Sequence, residues 1–105
     1  MKLLENLFTQ PDSKVLVETD QCKIETFKIA EDLSTATITI SAGAEYTFTA
    51  RSGIITTNVG SGIISTGKES FELNLFNKVA TERNDRVTIT NNQTIPLILN
   101  FVSAN

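Results

Sequence analysis

The chain has 105 residues, a formal net charge of −3, no histidine, no tryptophan and one cysteine. That length gives one domain with a core that buries roughly 65% of the unfolded surface without disulfides or metal. The acidic balance, with basic residues scattered singly, excludes a phosphate-tracking nucleic-acid groove. A lone Cys22 excludes an intrachain disulfide.

Residues 1–12 read as an N-terminal arm. Leu3, Leu4, Leu7 and Phe8 form one apolar stripe at helical spacing over residues 1–10, and Pro11 ends it. A helix this short is marginal alone, so it must dock on its own domain or on another subunit. Met1-Lys2-Leu3-Leu4-Glu5 places an acid where the apolar core of a leader would begin, so no secretory signal is predicted. No apolar run approaches the roughly 20 residues that span a bilayer.

From Ser13 onward the period becomes two, and residues 13–105 are expected to form a single β-sandwich domain. Lys14–Glu18 is a short strand. In Gln21–Ala30 the apolar set changes phase between Cys22, Ile24 and Phe27, Ile29, which predicts a β-bulge near Glu25-Thr26. Thr35–Ile40 alternates with Ala36, Ile38 and Ile40 inward, and Tyr46, Phe48 and Ala50 continue that pattern. Residues 53–66 hold a near-duplicate, Ser-Gly-Ile-Ile, around Asn58-Val59-Gly60, and read as a β-hairpin folded about Val59-Gly60. One isoleucine pair, Ile55 and Ile64, would join the core. The other, Ile54 and Ile63, would share the opposite face and need a cover. Phe71–Leu75 alternates, Phe76 breaks phase, and Asn77–Asp85 reads as a polar connection. Arg86–Thr90 is expected to pair through Asn91-Asn92-Gln93 with Thr94–Val102, where Pro96 marks an edge or a bulge and Ile98 faces away from Leu97 and Leu99. Eight to nine short strands at this spacing predict an all-β antiparallel sandwich of jelly-roll type, with a short N-terminal helix.

Reactive groups are few. Without histidine, the usual activation of a serine or cysteine nucleophile is lost, as is the main zinc ligand. Cupins share the jelly-roll architecture but depend on His-rich metal sites, so a metal-dependent cupin is excluded. Paired carboxylates such as Glu69 and Glu72, or Glu18 and Asp20, are what a solvated β face carries. Turn acids (Asp12, Glu18, Asp20, Glu31, Asp32) match no calcium-loop spacing. No catalytic residue, cofactor or metal site is therefore assigned, and no enzyme activity is expected. The mixed-sign run Glu82-Arg83-Asn84-Asp85-Arg86 offers Arg83 and Arg86 as charged contacts to a neighbouring subunit.

The alternating Thr35–Ile40, the Thr88–Thr94 turn and the apolar ending Leu97–Val102 resemble the small jelly-roll proteins that bacteriophages and other viruses use as penton or decoration subunits. That resemblance implies a structural protein of a capsid, a homo-oligomer contacting itself or other capsid proteins, located in the virion or the cytoplasm. Its candidate interface is Leu3, Leu4, Leu7, Phe8, Ile54, Ile63, Arg83, Arg86 and Ile98. The alternative is a small ligand- or carbohydrate-binding β-sandwich module. Against a sugar platform stands the expectation that the phenylalanines lie inside.

Overall fold

The computed structural model describes residues 13–105, and every regular element among them is a strand. The helix expected over residues 1–10, with Leu3, Leu4, Leu7 and Phe8, lies outside the described residues. Ten strands follow in order: β1 Ser13–Glu18, β2 Cys22–Ala30, β3 Leu33–Ile40, β4 Glu45–Thr49, β5 Gly53–Val59, β6 Gly62–Ser65, β7 Ser70–Leu73, β8 Lys78–Thr81, β9 Arg86–Thr90 and β10 Leu97–Ala104. A six-stranded sheet runs β1-β2-β3-β10-β5-β8 and faces a four-stranded sheet, β4-β9-β6-β7.

The pairings nest. β3 pairs β10, β4 pairs β9, β5 pairs β8 and β6 pairs β7, all antiparallel. This is one long two-stranded ribbon whose tip is the Thr66–Glu69 turn, rolled so that β10 also meets β5 and β9 also meets β6. Thr66 makes the tip: its Oγ1 accepts from the amides of Lys68 and Glu69, both at 3.2 Å, and its own amide donates to the Glu69 carbonyl at 2.8 Å.

Two hairpins expected from the sequence are not hairpins. Residues 53–66 do not fold back about Val59-Gly60, because β5 lies in one sheet and β6 in the other. Gly60 adopts φ 82°, and a Cβ there would sit 2.7 Å from the Pro96 carbonyl oxygen, so only glycine fits where the chain crosses between sheets. Likewise β9 and β10 belong to opposite sheets, and Asn91–Pro96 is a crossing. Pro96 directly precedes β10, which is a central strand with a register irregularity against β5 between Ile98 and Leu99. The expected bulge also moves. β2 pairs β3 without a break from Cys22 to Lys28, while the extra residue sits across from it in β1, where Val15 meets Glu25 and Val17 meets Ile24. Phe27 therefore lies on the opposite face of the sheet from Ile24, and is still only 2% exposed. Finally, the Asn77–Asp85 connection contains β8, which the short run Lys78–Thr81 hides because its two inward positions are Val79 and the polar Thr81.

The core fills the space between the sheets. Ile24, Ile38, Ile40, Ile55, Leu97, Leu99 and Phe101 from one sheet meet Ile64, Leu73, Val87 and Ile89 from the other. Burying each such side chain contributes about 1.5–3 kcal/mol. Phe48 joins the layers, its ring 6.3 Å from Phe101 and stacked on Tyr46 at 6.1 Å.

One end of the sandwich is tied off by Asn91, which is fully buried. Its Nδ2 donates toward the carbonyls of Ile40 (3.0 Å), Ser41 (3.2 Å) and Ile95 (2.9 Å), and its Oδ1 accepts from the Gln93 amide at 3.0 Å. A single side-chain amide thus bonds the end of β3 and the two loops beside it.

Candidate ligand cleft

Rolling the ribbon leaves two edge strands, β7 and β8, side by side in different sheets. Their open side forms a cleft of about 500 Å³ between the β6–β7 hairpin and β8. Its floor is apolar: Ile64 and Val87 are buried and Val79 is half-buried. Phe71 forms a wall. It shares the inward parity of Leu73 on β7 and pairs with Ile64, but it sits on an edge strand beside the cleft and is 50% exposed. A ring in that position is a platform for a flat ligand.

The rim comes from two turns. The ribbon tip supplies Lys68 and Glu69, while β8 and the turn after it supply Lys78, Glu82 and Asp85. That second turn is fixed by its own bonds: the Glu82 amide donates to Asp85 Oδ2 at 3.1 Å, the Asp85 amide donates to the Glu82 carbonyl at 3.1 Å, and Asn84 takes φ 74°. The amides of Ala50 and Asn84 bond the carbonyls of Asp85 and Ala50, and Thr81 Oγ1 donates to the Arg51 carbonyl at 2.6 Å. Two lysines and three carboxylates around an apolar floor suit a neutral or zwitterionic molecule better than a strongly charged one. A shallower hollow of about 300 Å³ lies on the outer face of the same hairpin, beside Ile63 and Glu72.

Among the described residues, Ile54, Ile63, Ile98, Arg83 and Arg86, proposed from the sequence as an interface, do not form one patch. Ile54 (50% exposed) lies on the outer face of the six-stranded sheet, in register with Val102 and Ala80. Ile63 (37% exposed) lies on the outer face of the four-stranded sheet, opposite Glu72. The two isoleucines expected to share a face thus sit on opposite sides of the molecule. Ile98 is half-buried between Thr39 and Val59 on the outer face of the six-stranded sheet. Arg83 Nη2 donates to the Asn105 carbonyl at 3.2 Å and Arg86 Nη1 to Thr49 Oγ1 at 3.1 Å, so both arginines make intrachain bonds. Glu69 and Glu72 diverge, one toward the cleft and one toward the outer hollow.

Metal chemistry does not fit this interior. Among the described residues no group of three or more His, Cys, Asp or Glu could hold an ion. The single thiol, Cys22, is buried, and burial pushes its pKa up to about 11. Between the sheets the inward side chains are hydrocarbon, apart from polar groups such as Asn91 and Thr57. Thr57 Oγ1 is buried with no hydrogen-bond partner, and one hydroxyl is no ligand set.

The sequence matches no protein-family model and no curated protein sequence. Solved structures do share the fold. The chain superposes on the cupin domain of Schizosaccharomyces pombe Cnp3 with TM-score 0.67 and 14% identity, covering 88% of this chain and 69% of that one. A cupin superfamily protein from Desulfitobacterium hafniense gives TM-score 0.67 at 7% identity over 84% and 81%. Bacillus subtilis oxalate decarboxylase gives TM-score 0.75 at 13% identity over 94% of this chain and 29% of that one. The fold is similar to that of these cupin-domain proteins.

These neighbours overturn the capsid reading. Penton and decoration subunits were suggested by alternating strands and an apolar ending, which any jelly roll shares, and the fold matches cupin-domain proteins instead. The virion location and capsid partners fall with it. No helix among the described residues is long and apolar enough to cross a membrane. The cleft residues themselves were missed by the sequence reading. The available signal was Phe71 in the short alternating run before Phe76 breaks phase, since so short a strand suits a sheet edge.

Proposed function

We propose that this chain is a metal-free, non-enzymatic β-sandwich that binds a small organic ligand in the cleft between β6–β7 and β8. The observation that carries this reading is Phe71: an aromatic ring on the inward face of an edge strand, half exposed above a floor of Ile64, Val79 and Val87. The chemistry it suits is a ring with one apolar face and polar substituents at its edge, of which a sugar is the clearest example. Ser65, Thr66 and Thr81 supply hydroxyls in the cleft lining, and Lys68 and Glu69 supply charged groups for the ligand's polar edge. Structural likeness to cupin-domain proteins, one of them an oxalate decarboxylase, supports a small-molecule role over an assembly role. The absence of histidine argues against their sharing a metal-dependent reaction.

An NMR titration of the full chain with neutral mono- and disaccharides and with neutral aromatic compounds tests the reading. Amide shifts are expected at Ser65–Glu69, Phe71 and Val79, and Phe71→Ala should lower affinity at least tenfold with the spectrum of a folded protein retained. Shifts confined to other surfaces, or unchanged affinity in Phe71→Ala, would remove the cleft as the binding site.

A further inference from the structure

β8 is an edge of the six-stranded sheet, and all of its residues, Lys78, Val79, Ala80 and Thr81, line the cleft. Side chains alternate between the two faces of a strand, so a cleft that meets all of them runs along the strand's edge. What that edge offers follows from the ladder. The Ala104 amide bonds the Ser52 carbonyl, and the same register continues through Ser103 and Gly53, Val102 and Ile54, and Phe101 and Ile55. Bonded and non-bonded pairs alternate in an antiparallel ladder, so Ile54 turns its main-chain groups to β10 while Gly53 and Ile55 turn theirs to β8. Their partners Thr81 and Val79 are therefore the bonded residues of β8. Lys78 and Ala80 point N–H and C=O outward, along the cleft. β7 shows what a covered edge looks like. The bond from the Thr66 amide to the Glu69 carbonyl sets Glu72 facing outward by the same alternation, and Asn77 Nδ2, in the Asn74–Asn77 turn, donates to the Glu72 carbonyl at 3.0 Å. Among the described residues no side chain does this for Lys78 or Ala80.

We propose that the cleft binds a short free peptide, extended antiparallel to β8 as one further strand. The inference rests on the cleft reading above and names the ligand. Charge sets the direction. Lys78 stands at one end of β8, while Glu82 and Asp85 follow the other end, where the ribbon tip adds Glu69 against Lys68. Antiparallel addition puts the peptide's ammonium beside Glu82 and Asp85 and its carboxylate beside Lys78, whereas a parallel peptide would meet like charges at both ends. A tripeptide fits, since at about 3.3 Å per residue it spans Ala80, Val79 and Lys78. Its first and third residues exchange main-chain hydrogen bonds with Ala80 and Lys78. The middle residue stands opposite Val79 and shares its inward face, so its side chain enters over Ile64 and Val87 against Phe71. An aromatic side chain suits that place. Main-chain bonds supply affinity, so selection falls on the free ends and the middle residue.

An NMR titration of the full chain with alanyl-phenylalanyl-alanine, up to about 10 mM, tests this. Shifts are expected at Phe71 and Lys78–Thr81, and at saturation the Lys78 and Ala80 amides should exchange with solvent at least fivefold more slowly. Blocking both ends of the peptide, or replacing its middle residue by glycine, should each weaken binding at least tenfold. Lys78→Gln should weaken the free acid several-fold and leave the peptide's C-terminal amide unaffected, a selectivity that a folding defect would not produce. No response to the peptide, shifts away from β8, or equal affinity for the blocked form would each overturn the proposal. If neutral sugars or aromatic compounds shift Phe71 and Val79 while the peptide does not, the cleft reading stands and the peptide falls. Silence toward all of them removes both.

Discussion

The two extremities of the sandwich solve the same problem in opposite ways. At the Asn91 end, one fully buried side-chain amide bonds the backbone carbonyls of Ile40, Ser41 and Ile95 and so ties three segments together. Ile40, Ile89, Leu97 and Leu73 are all fully buried. Along the β7–β8 side, two short edge strands from different sheets part company, and Phe71 on β7 is left half exposed over a cleft. Closure by a polar plug gives rigidity, while an edge left unclosed gives a binding surface. Stability should therefore be concentrated at the first region and recognition at the second.

The largest expected effect is at the plug. Asn91→Ala removes a fully buried amide together with its bonds to three backbone carbonyls and should cost about 3 kcal/mol, read as a drop in the urea midpoint. A loss below about 1 kcal/mol would mean that water enters and that the end is not closed. Next in size is a pH effect at Cys22. Its folded pKa is raised from 9.0 to about 11 by burial. Below pH 9 the thiol is protonated in both states and stability is unaffected. Between pH 9 and 11 the unfolded thiol ionises while the folded one holds its proton, so stability falls as pH rises, by on the order of 2 kcal/mol. The difference in unfolding free energy between the native chain and Cys22→Ala, followed from pH 8 to 10.5, isolates that slope.

Thr57→Val replaces the unpartnered buried hydroxyl by a methyl of similar shape and should raise stability by about 1 kcal/mol. A destabilised variant would show that the hydroxyl has a water partner inside the sandwich. The smallest effect is at the open side, where Phe76→Ser should shift thermal stability by less than about 0.5 kcal/mol, since the side chain touches solvent. A large loss there would mean that the turn is part of the core, and the contrast between the two regions would collapse.

Much of the inward face was legible in the sequence. Ala36, Ile38 and Ile40, and later Leu97, Leu99 and Phe101, alternate in the chain and are buried as that alternation requires. Ile55 and Ile64 were expected inside and are, although they come from opposite sheets. Pairing was less legible. Asn58-Val59-Gly60 and Asn91-Asn92-Gln93 carry hairpin chemistry, yet both are crossings, because a chain that reverses within a sheet and one that passes to the facing sheet use the same turn formers. The cleft was hidden for a related reason. Phe71 has core parity, and only the sheet order, which puts β7 at an edge, shows why it is half exposed.

What the sequence by itself determined is the set of inward residues and the chemistry that is out of reach, since side-chain parity along a strand is local and a missing histidine is missing in any fold. Which strands became neighbours was decided by tertiary structure alone. β5 is held between β10 and β8, and β6 between β9 and β7, by segments that follow them in the chain and complete the ribbon. The duplicated Ser-Gly-Ile-Ile runs therefore face each other across the core, and the open edge with its cleft forms where the ribbon's tip leaves β7 and β8 unpaired.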